Sequence, residues 1–146
     1  MIIWIIAFVI TIIILKQGKI ETTPARLAFG SLVITTIVAL ISVPIVFLLG
    51  HTDIITNLNN VLSLVVALLL GVWFFIAKSK LSMVAICIYF AFGVVGTAVT
   101  ISSYPVELWL GTAAVGVVAV VGLVSGIYCL CTWSTSVPNR VEPLGA

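Results

Sequence analysis

Residues 58–81 read LNNVLSLVVALLLGVWFFIAKSKL: a long apolar run is stopped by Lys78-Ser79-Lys80, and a second apolar run begins at once. A water-soluble domain has no way to cover two such runs in immediate succession. A bilayer does, because about 20 predominantly apolar residues in helical conformation cross its hydrocarbon core. Only 7% of the 146 residues are charged and 63% are hydrophobic, against about 25% charged in soluble domains. The mean hydropathy of +1.43 agrees. The expected fold is therefore all-α: a polytopic integral membrane protein forming one compact bundle. A net charge of +2 is too small to imply nucleic-acid binding.

The pattern predicts five transmembrane helices. The first covers residues 2–15 and is apolar on every face, so it is not an interfacial amphipathic helix. It is short for a span, and would reach the required length by running on to Ile20 while Lys16 and Lys19 snorkel. A secretory signal would need a basic start and a small-residue cleavage site, and neither is present. The second span covers residues 28–50, with Thr23 expected as N-cap and Pro24 at the first helical position. The third covers 58–77, capped by Asp53 or Thr56. The fourth covers 81–101 and the fifth 108–133. The transmembrane domain is thus 1–133, and 134–146 form a polar tail containing two prolines. The turn at Lys78 is too short to do more than reverse the chain, which makes spans three and four antiparallel neighbours.

Charge sets the expected orientation. Five spans place Lys16, Lys19, Arg26, Lys78, Lys80 and Arg140, all six cations of the chain, on one side and none on the other. The positive-inside rule then puts the amino terminus outside and the carboxyl terminus in the cytoplasm. Trp4 and Trp109 fall at outer span ends, and Trp73 and Trp133 at inner ends, as interfacial belts require. The cell (plasma) membrane is the expected location.

Small residues mark where helices approach closely, since packing between helices in lipid relies on van der Waals contact. The fifth span carries the longest such stripe, with Gly116, Ala119, Gly122 and Gly126 expected on one contact face. Gly122 and Gly126 form a GxxxG. Ser63, Ala67 and Gly71 repeat every four residues in span three, and Gly93 and Gly96 recur in span four with Thr97 and Thr100. Pro44 removes a helical donor from span two and, with Asn59, Thr97 and Thr100, is the candidate hinge or pore lining.

Chemistry has few carriers. The four acids, Glu21, Asp53, Glu107 and Glu142, lie in loops, at span ends or in the tail. A proton-coupled exchanger would need a titratable group at mid-membrane. His51 is the single imidazole and could act as a haem ligand only with a second ligand from a partner. Cys129 and Cys131 are two apart on a helix, so their thiols point about 200° from each other and do not form a metal pair by themselves. No catalytic residue, cofactor or metal is expected. The leading expectation is a non-enzymatic membrane protein surrounded by lipid, packing through its helices as a subunit of a homo-oligomer or a larger membrane complex. A small passive channel or solute carrier is the alternative, and a redox-complex subunit using His51 a third.

Overall fold

In a computed structural model, the apolar runs are α-helices, as a chain in hydrocarbon requires: only a helix satisfies every backbone donor and acceptor within one segment. The structure describes residues 2–18, 20, 22–49, 54–103 and 109–133. Side chains are described for all of these except 2, 3, 45–49, 54–57, 59, 103 and 109–111. The helices are α1 (Ile2–Gln17), α2 (Thr23–Leu49), α3 (Ile54–Ala77), α4 (Lys80–Ser103) and α5 (Trp109–Cys131), and no strand occurs among the described residues. The last four are long and apolar enough to cross a membrane. With 16 residues, α1 is about 24 Å long, against a hydrocarbon core of about 30 Å.

Several ends differ from the sequence expectation. α1 does not run on to Ile20. It stops at Gln17 and turns at Gly18, whose N–H donates to the Ile14 carbonyl at 2.8 Å. A Cβ on Gly18 would sit 2.8 Å from the Phe75 ring of α3, so the chain passes there only without a side chain. α2 begins one residue earlier than expected, and its N-cap is Thr22 rather than Thr23: the Thr22 carbonyl accepts the first helical bond, from Arg26 N–H at 2.9 Å. Pro24 then sits second in the helix, still among the residues whose N–H has no helical acceptor. The Arg26 Nε donates to the Ile20 carbonyl and ties down the chain entering α2. α2 passes through Pro44 without ending. α3 starts at Ile54, so Thr56 lies inside the helix rather than capping it, and Asp53 lies outside the described residues.

The α3–α4 turn is built by two caps placed back to back. Lys78 adopts φ 44°, and its N–H donates to the Phe74 carbonyl at 2.8 Å. That is a left-handed C-terminal cap, a place usually taken by glycine. Ser79 opens α4: its Oγ accepts from Ser82 N–H at 3.2 Å, and its carbonyl accepts from the Ser82 hydroxyl at 2.8 Å and from Met83 N–H at 3.2 Å.

Contacts run antiparallel. Along α4 and α5, Cys87 meets Gly126, Phe90 meets Gly122, Gly93 faces Ala119 and Thr97 meets Gly116. Along α2 and α3, Leu32 faces Gly71, and Phe29 stacks on Phe74 with ring centroids 5.2 Å apart. α5 packs most extensively on α4 and then on α2, while α3 and α4, although joined by so short a turn, touch much less. The core is off-centre. Lys16, Arg26, Lys78 and Lys80 lie at one end of the bundle, and the buried residues gather toward that end. In α2 they stop at Leu32, in α3 they begin at Ala67, in α4 they stop at Phe90, and in α5 they begin at Ala119.

Candidate functional site: the α4–α5 interface

Of the residues singled out in the sequence, those of α5 are the most closely engaged. A Cβ on Gly122 would fall 2.4 Å from the Phe90 ring, and one on Gly116 would fall 2.7 Å from the Thr97 methyl. One on Gly126 would fall 2.6 Å from Cys87 Sγ. Gly122, Gly126 and Ala119 are buried, and Gly116 is half-buried. Each glycine is a notch, and α4 supplies a fitting knob for it: a ring, a methyl, a thiol. Without hydrophobic drive between helices in lipid, such fit is what holds a pair together.

The other stripes are engaged unevenly. Gly93 is exposed, and its missing Cβ would make only ordinary contact with Ala119, at 3.7 Å; Gly96 has no heavy atom within 4 Å of that position. In α3, Ala67 is buried in the core, Gly71 faces Leu32 of α2, and Ser63 is exposed but hydrogen-bonds the Tyr89 hydroxyl at 3.2 Å. That stripe therefore serves two different neighbours.

The groups considered for a pore do not converge. The Thr97 and Thr100 hydroxyls each donate at 2.8 Å to the carbonyl four residues back, at Gly93 and Gly96. Thr11, Thr35 and Thr36 do likewise. This back-bonding commits the hydroxyl proton to the helix's own turn. Pro44 is exposed. The side chain of Asn59, and His51 with the four acids, lie outside the described residues. Among the described residues, open grooves include one of about 390 Å³ between α4 and α5 beside Thr97 and Gly116, and one of about 380 Å³ beside Trp4, Phe8, Ile34 and Val118. Their walls are almost wholly apolar.

No protein-family model matches the chain, and neither a curated protein nor a solved structure does. What the chain can do is therefore argued from its own atoms.

Two partners in the interface were not anticipated from sequence: Phe90, which fills the Gly122 notch, and Met83, which lies near Gly126. A signal for both was present. Folding the chain back about residue 106, between spans four and five, sets Phe90 near Gly122 and Met83 near Cys129. The same operation sets Cys87 near Gly126, one helical turn before Cys129.

Proposed function

We propose that the chain is a non-enzymatic integral membrane protein, crossing the membrane five times with its amino terminus outside, that acts by helix packing as a subunit of a homo-oligomer or a larger membrane complex. The observation that carries this reading is the uneven burial of its long helices. Of the apolar stretch of α2, 39% is buried by the rest of the chain, but of α3 only 11%. Leu62, Leu69 and Ile76, one every seven residues, stay exposed along α3, with Leu58, Val65 and Val72 beside them. α3 leans on α2 along one side and touches α4 little, so most of its surface is left to lipid or to another protein. The glycine notches of α5 are occupied within the chain. A partner would therefore dock on α3, whose surface residues are large.

The membrane orientation is supported by the four described cations sharing one end, the cytoplasmic end under the positive-inside rule. The placement of α1 as a span is supported by Lys16 in its last turn, where the side chain can snorkel. The cell membrane is the proposed location.

The test is disulfide trapping in native membranes, with Leu62→Cys or Leu69→Cys in a cysteine-free background. The expected result is a crosslinked dimer or a crosslink to a co-purifying membrane protein. A chain that stays uncrosslinked, and runs as a monomer without companions in mild detergent, overturns the reading. Solute flux through liposomes holding the pure protein would favour the channel instead. Impermeant thiol reagents, applied to intact cells carrying Ile20→Cys or Ser79→Cys, check the orientation, and labelling from outside would reverse it.

A further inference from the structure

Three sulfur-bearing side chains, Met83, Cys87 and Cys129, lie on the facing sides of α4 and α5. Met83 and Cys87 are four residues apart and share one face of α4. Both point at the same spot on α5: a Cβ on Gly126 would lie 2.6 Å from Cys87 Sγ and 3.7 Å from Met83 Sδ. Cys129 lies three residues beyond Gly126 on that same face. The antiparallel register that pairs Phe90 with Gly122 sets it opposite Met83. Met83 and Cys129 are fully buried, and Cys87 is 8% exposed, which leaves one narrow approach. The neighbouring wall is carbon, from Ala28, Ile86 and Phe90. The buried hydroxyl nearby, that of Ser82, is committed to the Ser79 carbonyl.

The donor set selects the ligand. Among the described residues, no group of three or more histidines, cysteines and carboxylates is gathered as zinc or a harder cation would require. Two thiols and a thioether in a dry site are soft ligands, and soft ligands take monovalent copper. We infer that Met83, Cys87 and Cys129 form a binding site for Cu(I) between α4 and α5. Each cysteine that binds releases its thiol proton to solvent as the sulfur–copper bond forms, and the metal enters and stays as Cu(I), so no electron is transferred. Two thiolates and one Cu(I) leave one negative charge, which the electropositive end formed by Lys16, Arg26, Lys78 and Lys80 favours. Gly126 is a positioning residue: its missing side chain is what lets Cys87 Sγ stand between the helices. Cys131 is exposed and points away from this face.

The experiment is anaerobic titration of the reduced, full-length protein in mild detergent with Cu(I), in competition with a coloured Cu(I) chelator. The expected result is one Cu(I) retained per chain, with thiolate-to-copper absorption in the near ultraviolet. Cys87→Ser and Cys129→Ser lose that retention, and Met83→Leu, which keeps the packing volume, weakens it. Gly126→Ala, which keeps all three sulfur residues but displaces Cys87 Sγ, weakens it by about tenfold, and Cys131→Ser binds as the parent does. Thermal unfolding of each variant without copper checks that it folds. The inference is overturned if the parent yields its copper to the chelator, if folded Cys87→Ser and Cys129→Ser retain it, or if Cys131→Ser abolishes binding. The readout does not depend on oligomeric state.

Discussion

The basic end of the bundle and the opposite end are made of the same materials and packed differently. Both contain small residues four apart: Gly122 and Gly126 toward one end, Gly96 and Thr100 toward the other. At the basic end each notch on α5 receives a side chain of α4, and Phe90 is 1% exposed there. Toward the other end Gly96 meets nothing, Val95, Val99 and Val117 are exposed, and a groove opens between the two helices. The difference lies in the partner helix. A small residue permits close approach, and a knob of the right shape opposite it makes that approach worth having. Spacing alone distinguishes the two cases no better than it distinguishes a socket from a gap.

Substitutions at seven positions probe this contrast, each read by thermal unfolding in mild detergent. Gly122→Ala should have the largest effect. The Phe90 ring, enclosed and 2.4 Å from the new methyl group, has to move, at a cost of about 1–3 kcal/mol. Adding Phe90→Leu should recover part of the loss, with a coupling of about 0.5 kcal/mol or more. Unfolding of Gly122→Ala at the parental temperature would mean that the basic end is no tighter than the other. Leu at Val121 or Val124, both exposed, should be tolerated.

Strain at the tight end is tested by Lys78→Gly. A left-handed φ at a lysine is costly, and relieving it should stabilise the chain by about 1 kcal/mol. Loss of stability would show that the lysine side chain outweighs its backbone. Gly96→Ala should act in the direction opposite to Gly122→Ala. With nothing to collide with, the added methyl raises helix propensity, for a gain of about 0.5–1 kcal/mol. A loss would show that the open end closes in the bilayer. The smallest effect expected is from Tyr89→Phe, which removes the hydrogen bond to Ser63 across α3 and α4. Such bonds within membranes contribute about 0.6 kcal/mol, and a loss several times larger would mean that this pair holds α3 in place.

The helices were legible because their cause is local: long apolar runs, broken by Lys78-Ser79-Lys80 and by Thr22-Thr23-Pro24. The start of α2 was misread by one capping residue because two threonines stand side by side, and only the bond from Arg26 tells them apart. The extension of α1 to Ile20 rested on span length, and the contact of Gly18 with Phe75 overrode it. For the candidate site, the notches were visible and the knobs were not. Gly122 announces itself as a small residue in an apolar run, whereas Phe90 looks like any other aromatic until the register of α4 against α5 is known. Cys129 stayed apart from Met83 and Cys87 for the same reason, lying more than forty residues further along the chain. Thr97 and Thr100 looked available as pore lining because composition does not reveal that a hydroxyl is already bonded to its own helix.

The turn at Lys78 and Ser79 has a mechanical consequence. Ser79 is locked to the first turn of α4 by its exchange of bonds with Ser82, so freedom at the turn is concentrated in the single residue before it. α3 has little else in common with α4, and its far end carries no buried side chain among those described. Its anchorage is lopsided: Ala67, Gly71 and Phe74 hold the half next to the turn against α2, and the Ser63–Tyr89 hydrogen bond ties it to α4 farther along. A load on α3 is therefore borne mainly by α2 and by the turn rather than by the junction of α4 and α5.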